Sequence, residues 1–399
     1  VKIVVAFDKF KGTLTGLQAC RIAAGVLRAK FPGAEIIEKP MADGGEGTAQ
    51  ALIAACDGEW IPSRALDPLG REIESGFGWL ADRKTAVVEM ASASGLALLK
   101  PEERNPMLTS TFGTGQLLRA AIKHGAEHIL LAVGGSATID GGVGAATALG
   151  WRFTARNDHS IDETIHYTLR NDHSKKWSGR YVGLGGQNLI FIGMIIPPKY
   201  TFPGVEVLCD VDNPLCGPTG AAAVFGPQKG ASPEMVQELD RGLRHLAGIV
   251  RSQLGKDILA LQGGGAAGGL AAGMAAFLDA RLVSGVETVM KASGLLDAVR
   301  GADWILTGEG KLDSQSWRGK VVFGVLGLAK KHHVRVAVAA GTVEVAEDEC
   351  RARGVDAVTS LREGGVDVER AMQDAPQLLA QAVERLATGA FCQYQSGHI

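Results

Sequence analysis

The chain reads as an α/β protein: a flavodoxin-like parallel-sheet domain interrupted by a large inserted α/β domain. Three observations predict this. Short apolar runs alternate with helical periodicity at both ends of the chain, giving five strands with intervening helices. The pattern changes near Asp57, where extended runs and tight turns replace the alternation until about Gly285. Three acidic, glycine-flanked turns each follow a strand-like run, as expected where parallel strands end on one edge of a sheet and ligands bind. The expected domains are 1–58 with 285–399, and 59–284.

Lys2 to Ala6 is an apolar strand running into Asp8, Lys9 and Lys11. Thr15-Gly16-Leu17-Gln18 is a capping-box pattern, and Leu17, Cys20, Ala24 and Leu27 follow at near-helical spacing until Phe31-Pro32-Gly33. Ala34 to Ile37 is the second strand and Thr48 to Cys56 the second helix. Glu59 to Met90, with turns at Asp67-Pro68-Leu69-Gly70 and Ala81-Asp82-Arg83, predicts an antiparallel meander. A helix over 113–124, a strand over 129–133, the glycine turn 134–142 and a strand over 205–209 come next. Ser232-Pro233-Glu234 opens a helix. From about Gly285 the alternation returns: a helix, a strand at Trp304, a helix over 320–332, a strand over 334–339, a helix to Arg353, a strand over 355–360 and a closing helix over 369–386. The five outer strands fit the order 2-1-3-4-5, which sets strand 1 beside the Trp304 strand and Asp8 near Glu309.

The composition narrows the function. Hydrophobic residues make up 46% and aromatic ones 6%, so the core is built from Ala, Val, Leu and Ile. A net charge of -2 leaves no basic footprint for nucleic acid or acidic membrane. The six cysteines form no CxxC pair, which predicts reduced thiols rather than a zinc site. No signal-like or membrane-length apolar run is visible, so a cytoplasmic setting is expected. His159, His166 and His173, seven apart beside two copies of Asn-Asp-His-Ser, read as a solvated excursion.

Several signatures are missing. Gly310-Lys311 and Gly319-Lys320 lack the Ser or Thr of a Walker motif, and Gly134-Gly135-Ser136-Ala137 is not a nucleophile elbow. Gly263, Gly265 and Gly268 match GxGxxG after a poor strand, so this loop cradles phosphate or packs closely. A nicotinamide oxidoreductase rests on that match alone. The candidate residues that remain are Asp8 and Lys11 before the first helix, Asp43-Gly44-Gly45-Glu46, Gly134-Gly135-Ser136 with Asp140, Asp210, Asp212 and Asn213 at a strand end, Gly264-Gly265, and Glu309 with Asp313. Carboxylates, lysines and bare amides together suit a phosphorylated, Mg²⁺-bound substrate.

These motifs, in order, resemble the bacterial two-domain glycerate kinases. The residues that carry the resemblance are Asp8-Lys9-Phe10-Lys11-Gly12, Met41 to Thr48, Glu103-Arg104-Asn105-Pro106, Thr111-Phe112-Gly113-Thr114-Gly115, Gly134 to Thr138, Cys209 to Leu215, Val224 to Gly230, Gly264 to Gly269 and Thr307 to Asp313. The chain departs from the pattern at Phe7, Lys9, Ile139 and over 153–202. The resemblance implies ATP-dependent phosphorylation of D-glycerate, most simply to 2-phosphoglycerate, with a restriction-enzyme-like inserted domain and the site in a cleft between domains. In-line transfer is then expected. Asp212 or Asp313 would accept the hydroxyl proton, Lys11 and Lys320 would neutralise phosphate or carboxylate, and Asp210, Asp212 or Glu309 would reach Mg²⁺. The rival reading is a non-catalytic sensor of a small phosphorylated acid. The sequence leaves open a homo-oligomer and the choice of glycerate hydroxyl.

Overall fold

A computed structural model describes residues 1–155, 184–317 and 320–391. His159, His166, His173, both Asn-Asp-His-Ser copies, Gly319, Cys392 and the tail 393–399 lie outside the described residues. The chain divides into two compact units, Val1–Gly58 with Ser284–Ile399, and Glu59–Val283.

In the first unit five parallel strands lie in the order Glu35–Glu38, Lys2–Phe7, Trp304–Gly308, Arg335–Ala340, Ala357–Ser360. In chain order this is the 2-1-3-4-5 arrangement that the strand count predicts. The Lys2–Phe7 strand is an interior strand, and Ile3 to Phe7 are fully buried. Alternate residues of a strand face opposite sides, so a strand covered on both faces must be apolar throughout. Ile3, Val5 and Phe7 pack with Ala19, Cys20 and Leu27 of helix Gly16–Lys30 and with Leu379 and Val383 of helix Ala375–Leu386. The capping box forms: Gln18 N donates to Thr15 Oγ1 at 3.1 Å and Thr15 N donates to Gln18 Oε1 at 2.9 Å.

The single closing helix expected over 369–386 is two, Val368–Gln373 and Ala375–Leu386. Pro376 stands in the first turn of the second. Proline has no N–H to give to a preceding turn, so the helix begins anew there.

The second unit carries a six-stranded mixed sheet. Arg281–Val283, Gly204–Leu208, His128–Ala132 and Thr85–Glu89 run parallel. Glu72–Leu80 and Glu59–Leu66 complete it as the antiparallel meander. Pro62 sits in the outermost strand, where a missing donor leaves no ladder bond unmade. Arg281–Val283 has three residues, too few to show an alternation, and the sequence reading passes over it. Ile129, Leu131, Val205 and Val207 pack with Leu117 and Leu118 of helix Phe112–His124 and with Leu243, Leu246 and Val250 of helix Pro233–Leu254. Ser232 caps that last helix by accepting from Met235 N. Among the described residues no helix is long and apolar enough to cross a membrane.

Candidate active site

The parallel sheet of the first unit brings three carboxylates together. Phe7 pairs with Gly308, so Asp8 and Glu309 leave neighbouring strands at the same edge, and Asp8 N donates to Gly308 O at 3.0 Å. The adjoining strand stays in step beyond its end, with Met41 N donating to Phe7 O at 2.9 Å, and this delivers Asp43. Close approach requires glycine at Gly308: a Cβ there would lie 1.8 Å from Ala339 O and 2.7 Å from Phe7. Asp8, Asp43 and Glu309 line one cavity of about 380 Å³ with Lys9, Lys11, Lys311 and Lys320. Its other wall is apolar, formed by Leu361, Val368, Ala371, Met372 and Ala375.

Charge in this cavity is unevenly compensated. Lys9 Nζ donates to Asp43 Oδ1 at 3.1 Å and to Glu46 O at 3.0 Å. Burial pushes the Asp43 carboxyl up, but the Lys9 ammonium outweighs it and holds Asp43 below the usual range. Asp8 is 4% exposed, and burial together with the neighbouring Asp43 charge raises its pKa to about 7. Burial also raises Glu309, against the pull of Ser316 and Lys320. Lys320 Nζ lies 3.5 Å from Glu309 Oε2, while Glu309 Oε1 is buried with no hydrogen-bond partner among the described residues. Lys11 is exposed at the mouth. The cavity therefore joins a carboxyl group poised to exchange a proton near neutrality with cations that can balance an anion.

Other expected residues take other places. Gly44, Gly45 and Glu46 shape the turn rather than line the cavity: Gly44 has φ +79°, Gly45 N donates to Asp43 Oδ1, and Glu46 offers its carbonyl to Lys9. Asp313 carries its carboxylate 3.6 Å from Lys311 and is not among the lining residues. In the second unit Asp212 is exposed and accepts from Gln262 Nε2, Asp210 is half-buried, and Asn213 Nδ2 donates to Thr219 O.

The glycine loop 263–269 is a packing element. Gly264 N donates to Leu261 O and Gly265 N to Asn213 O, so these amides are already engaged. A Cβ on Gly268 would lie 1.9 Å from Thr138 O, and one on Gly265 would lie 2.3 Å from Pro214 O. Of the two roles open to this loop in the sequence, the hydrogen bonds favour close packing. The nicotinamide reading loses its phosphate cradle with them. Asp140, expected from the sequence as a ligand contact, is engaged within the protein. It is 1% exposed and accepts from Thr111 N and Oγ1, Gly142 N and Gly144 N. It thereby caps the starts of two helices, Phe112–His124 and Val143–Ala148, where a carboxylate is favoured.

Sequence reasoning missed the apolar wall and Lys229. Val368, Ala371, Met372 and Ala375 fall at i, i+3, i+4 and i+7, a helical stripe, and Val368 and Met372 are about half exposed. An apolar stripe that ends up in solvent was the available signal.

Fold and cavity together define an α/β enzyme whose acidic and basic groups gather at the carboxyl edge of a parallel sheet. Comparison with known proteins gives the family. The glycerate kinase family model matches residues 3–390. A glycerate kinase of Halalkalibacterium halodurans is 42% identical over 96% of this chain and 97% of its own length. The glycerate 2-kinase of Escherichia coli K12 is 37% identical over 97% of each chain. A crystal structure from Salmonella typhimurium LT2 bearing the glycerate kinase 2 name superposes with TM-score 0.83 at 36% identity, covering 99% of both chains. The chain belongs to the glycerate kinase family.

Proposed function

We propose that the protein transfers the γ-phosphoryl group of ATP to the 2-hydroxyl of D-glycerate, giving 2-phosphoglycerate and ADP. The observation that carries this reading is the single cavity where Asp8, Asp43 and Glu309 meet Lys9, Lys11 and Lys320. Family membership supports it, and the name of the Escherichia coli relative favours the 2-hydroxyl.

Asp8 is the proposed general base. A base works best with a pKa near the working pH, and Asp8 is held at about 7 inside the cavity. As the bond from the glycerate oxygen to phosphorus forms, the bond from phosphorus to the β-phosphate oxygen breaks. The hydroxyl proton passes to Asp8 and ADP leaves. Asp8 replaces Asp212 and Asp313 in this role because neither of those lines the cavity. Lys11 and Lys320 balance the charge on the phosphoryl oxygens, and such pre-set charges usually dominate phosphoryl transfer. The apolar wall at Leu361, Val368 and Met372 suits a nucleobase.

Magnesium fits the cavity. Among the described residues no three His, Cys, Asp or Glu side chains are gathered as a cage. Mg²⁺ needs none, since it binds through one or two carboxylates, water and phosphate oxygens. Glu309, with an unpartnered buried oxygen, is the residue that would hold it. Bound there with nucleotide, Mg²⁺ would draw charge from the phosphate oxygens.

The test is ADP release in a coupled assay with ATP and D-glycerate, followed by ³¹P NMR of the product. ADP release that needs D-glycerate, with the 2-phosphoglycerate resonance, is expected. No release would sink the reading, and the 3-phosphoglycerate resonance would move the acceptor to the other hydroxyl.

A further inference from the structure

The Glu59–Val283 unit holds a buried lysine that the proposed chemistry does not use. Lys229 closes the short turn Pro227–Lys229 and is 1% exposed. Its Nζ donates to Ser136 Oγ at 2.6 Å and to Thr138 O at 2.8 Å. Both partners are neutral. Asp140 acts on it through space, but that carboxylate is held by Thr111, Gly142 and Gly144. A buried ammonium with only neutral partners is costly to fold around. Burial accordingly lowers its pKa to about 7.

The turn in front of this lysine presents donors. A hydroxyl has one proton to give, and while the Lys229 ammonium donates to Ser136 Oγ, the Ser136 proton points elsewhere. Among the described residues nothing accepts it. The amides of Gly134, Gly135 and Ser136 also donate to no described acceptor. Gly135 is exposed with φ +77°, the left-handed conformation that turns successive amides to one side. Its carbonyl, which would repel an anion, is turned away and accepts from Leu96 N at 2.8 Å. Beside them the Thr138 hydroxyl is buried with no partner among the described residues.

We propose that residues 134–136 form an oxyanion-binding site, with Lys229 beneath them as its positioning residue. The three amides and the Ser136 hydroxyl hold the anionic oxygens. Lys229 supplies positive charge from below and fixes the outward direction of the Ser136 hydroxyl. The ligand chemistry is a small carboxylate or phosphoryl group. The kinase reading bears only on which substrate supplies it, the carboxylate of the hydroxy acid or a phosphate of the nucleotide.

Isothermal titration of the full chain with D-glycerate and, separately, with ADP tests this on Ser136→Ala and Lys229→Met. One ligand should bind roughly tenfold more weakly to Lys229→Met and several-fold more weakly to Ser136→Ala, since charge-assisted hydrogen bonds are the strong ones. The other ligand should stay within about twofold, and the ligand that weakens is the source of the oxyanion. Lys229→Met should melt at or above the temperature of the parent chain, because it removes a buried charge that hydrogen-bonds no counter-ion. A lysine kept only for packing would give a lower melting temperature and unchanged binding, which overturns the proposal. Should Lys229→Met fail to fold, Ser136→Ala at its half-exposed position decides alone. Should the parent chain neither phosphorylate nor bind D-glycerate, the kinase reading fails, but the melting shift caused by inorganic phosphate still tests the site. A shift smaller in Ser136→Ala supports the oxyanion site, and an equal shift overturns it.

Discussion

The acidic cavity of the first unit and the glycine turn of the second solve opposite problems. Around Asp8 the sheet edge crowds three carboxylates, and only part of that charge is balanced, by Lys9 on Asp43 and Lys320 near Glu309. Around Ser136 the excess is of donors: amides, a hydroxyl and a buried lysine whose hydrogen-bond partners are neutral, with Asp140 acting on it only through space. Both sites leave an electrostatic need unmet inside the protein. One is met by a proton or a cation, the other by an anion. Glycine differs between them as well. Gly308 clears space so that a carboxylate can approach its neighbours, whereas Gly135 turns the backbone itself into the binding group.

The sharpest way to break this comparison is at Asp8. Asp8→Asn should lower kcat by about 10²–10⁴, the usual contribution of a general base. The same change should raise the melting temperature at pH 8. The folded pKa of Asp8, about 7, lies above its unfolded value near 3.9, so its favourable contribution is full below about pH 4 and is lost as pH rises through 7. Calorimetry at pH 5 and pH 8 should show the larger gain at pH 8, and an equal gain at both would refute the assignment. Next in size is Lys320→Met, expected to cost on the order of 10² in kcat with the protein still folded. Unchanged steady-state rates would remove Lys320 from the chemistry.

Two changes in the second unit should act on stability instead. Asp140→Ala leaves buried amides at Thr111, Gly142 and Gly144 without an acceptor, at about 1–3 kcal/mol for each group left unpaired. Chemical denaturation should show a loss of at least about 3 kcal/mol, with activity per folded molecule within roughly tenfold. A near-neutral effect on stability with lost substrate binding would return Asp140 to the ligand. Gly268→Ala forces a Cβ against the Thr138 carbonyl at φ +66° and should cost about 1–3 kcal/mol. The smallest effect is expected at Asp313→Ala, where kcat should fall less than about tenfold because Asp313 is not among the residues that line the cavity.

Much of the first unit was legible residue by residue. Apolar runs, the Thr15 cap and the acidic turns are local signals, and a parallel sheet converts them into a shared edge without further instruction. The second unit was less legible. The GxGxxG match looked the same whether its amides were free or bonded, and only the hydrogen bonds from Gly264 and Gly265 separate the two. Asp140 precedes a glycine pair as Asp43 does, yet one is sealed by Thr111 and the other borders a cavity.

The sequence by itself determined which segments become strands and helices, and with them the edge where Asp8, Asp43 and Glu309 emerge. Periodicity and capping act over a few residues, so one sequence suffices to read them. Tertiary structure alone decided which groups are buried without a partner, because desolvation depends on everything packed around a side chain. That is why Asp8 is raised to about 7 and why Lys229 meets Ser136 across 93 positions of chain. Neither fact has a local signature, and both proposed sites depend on them.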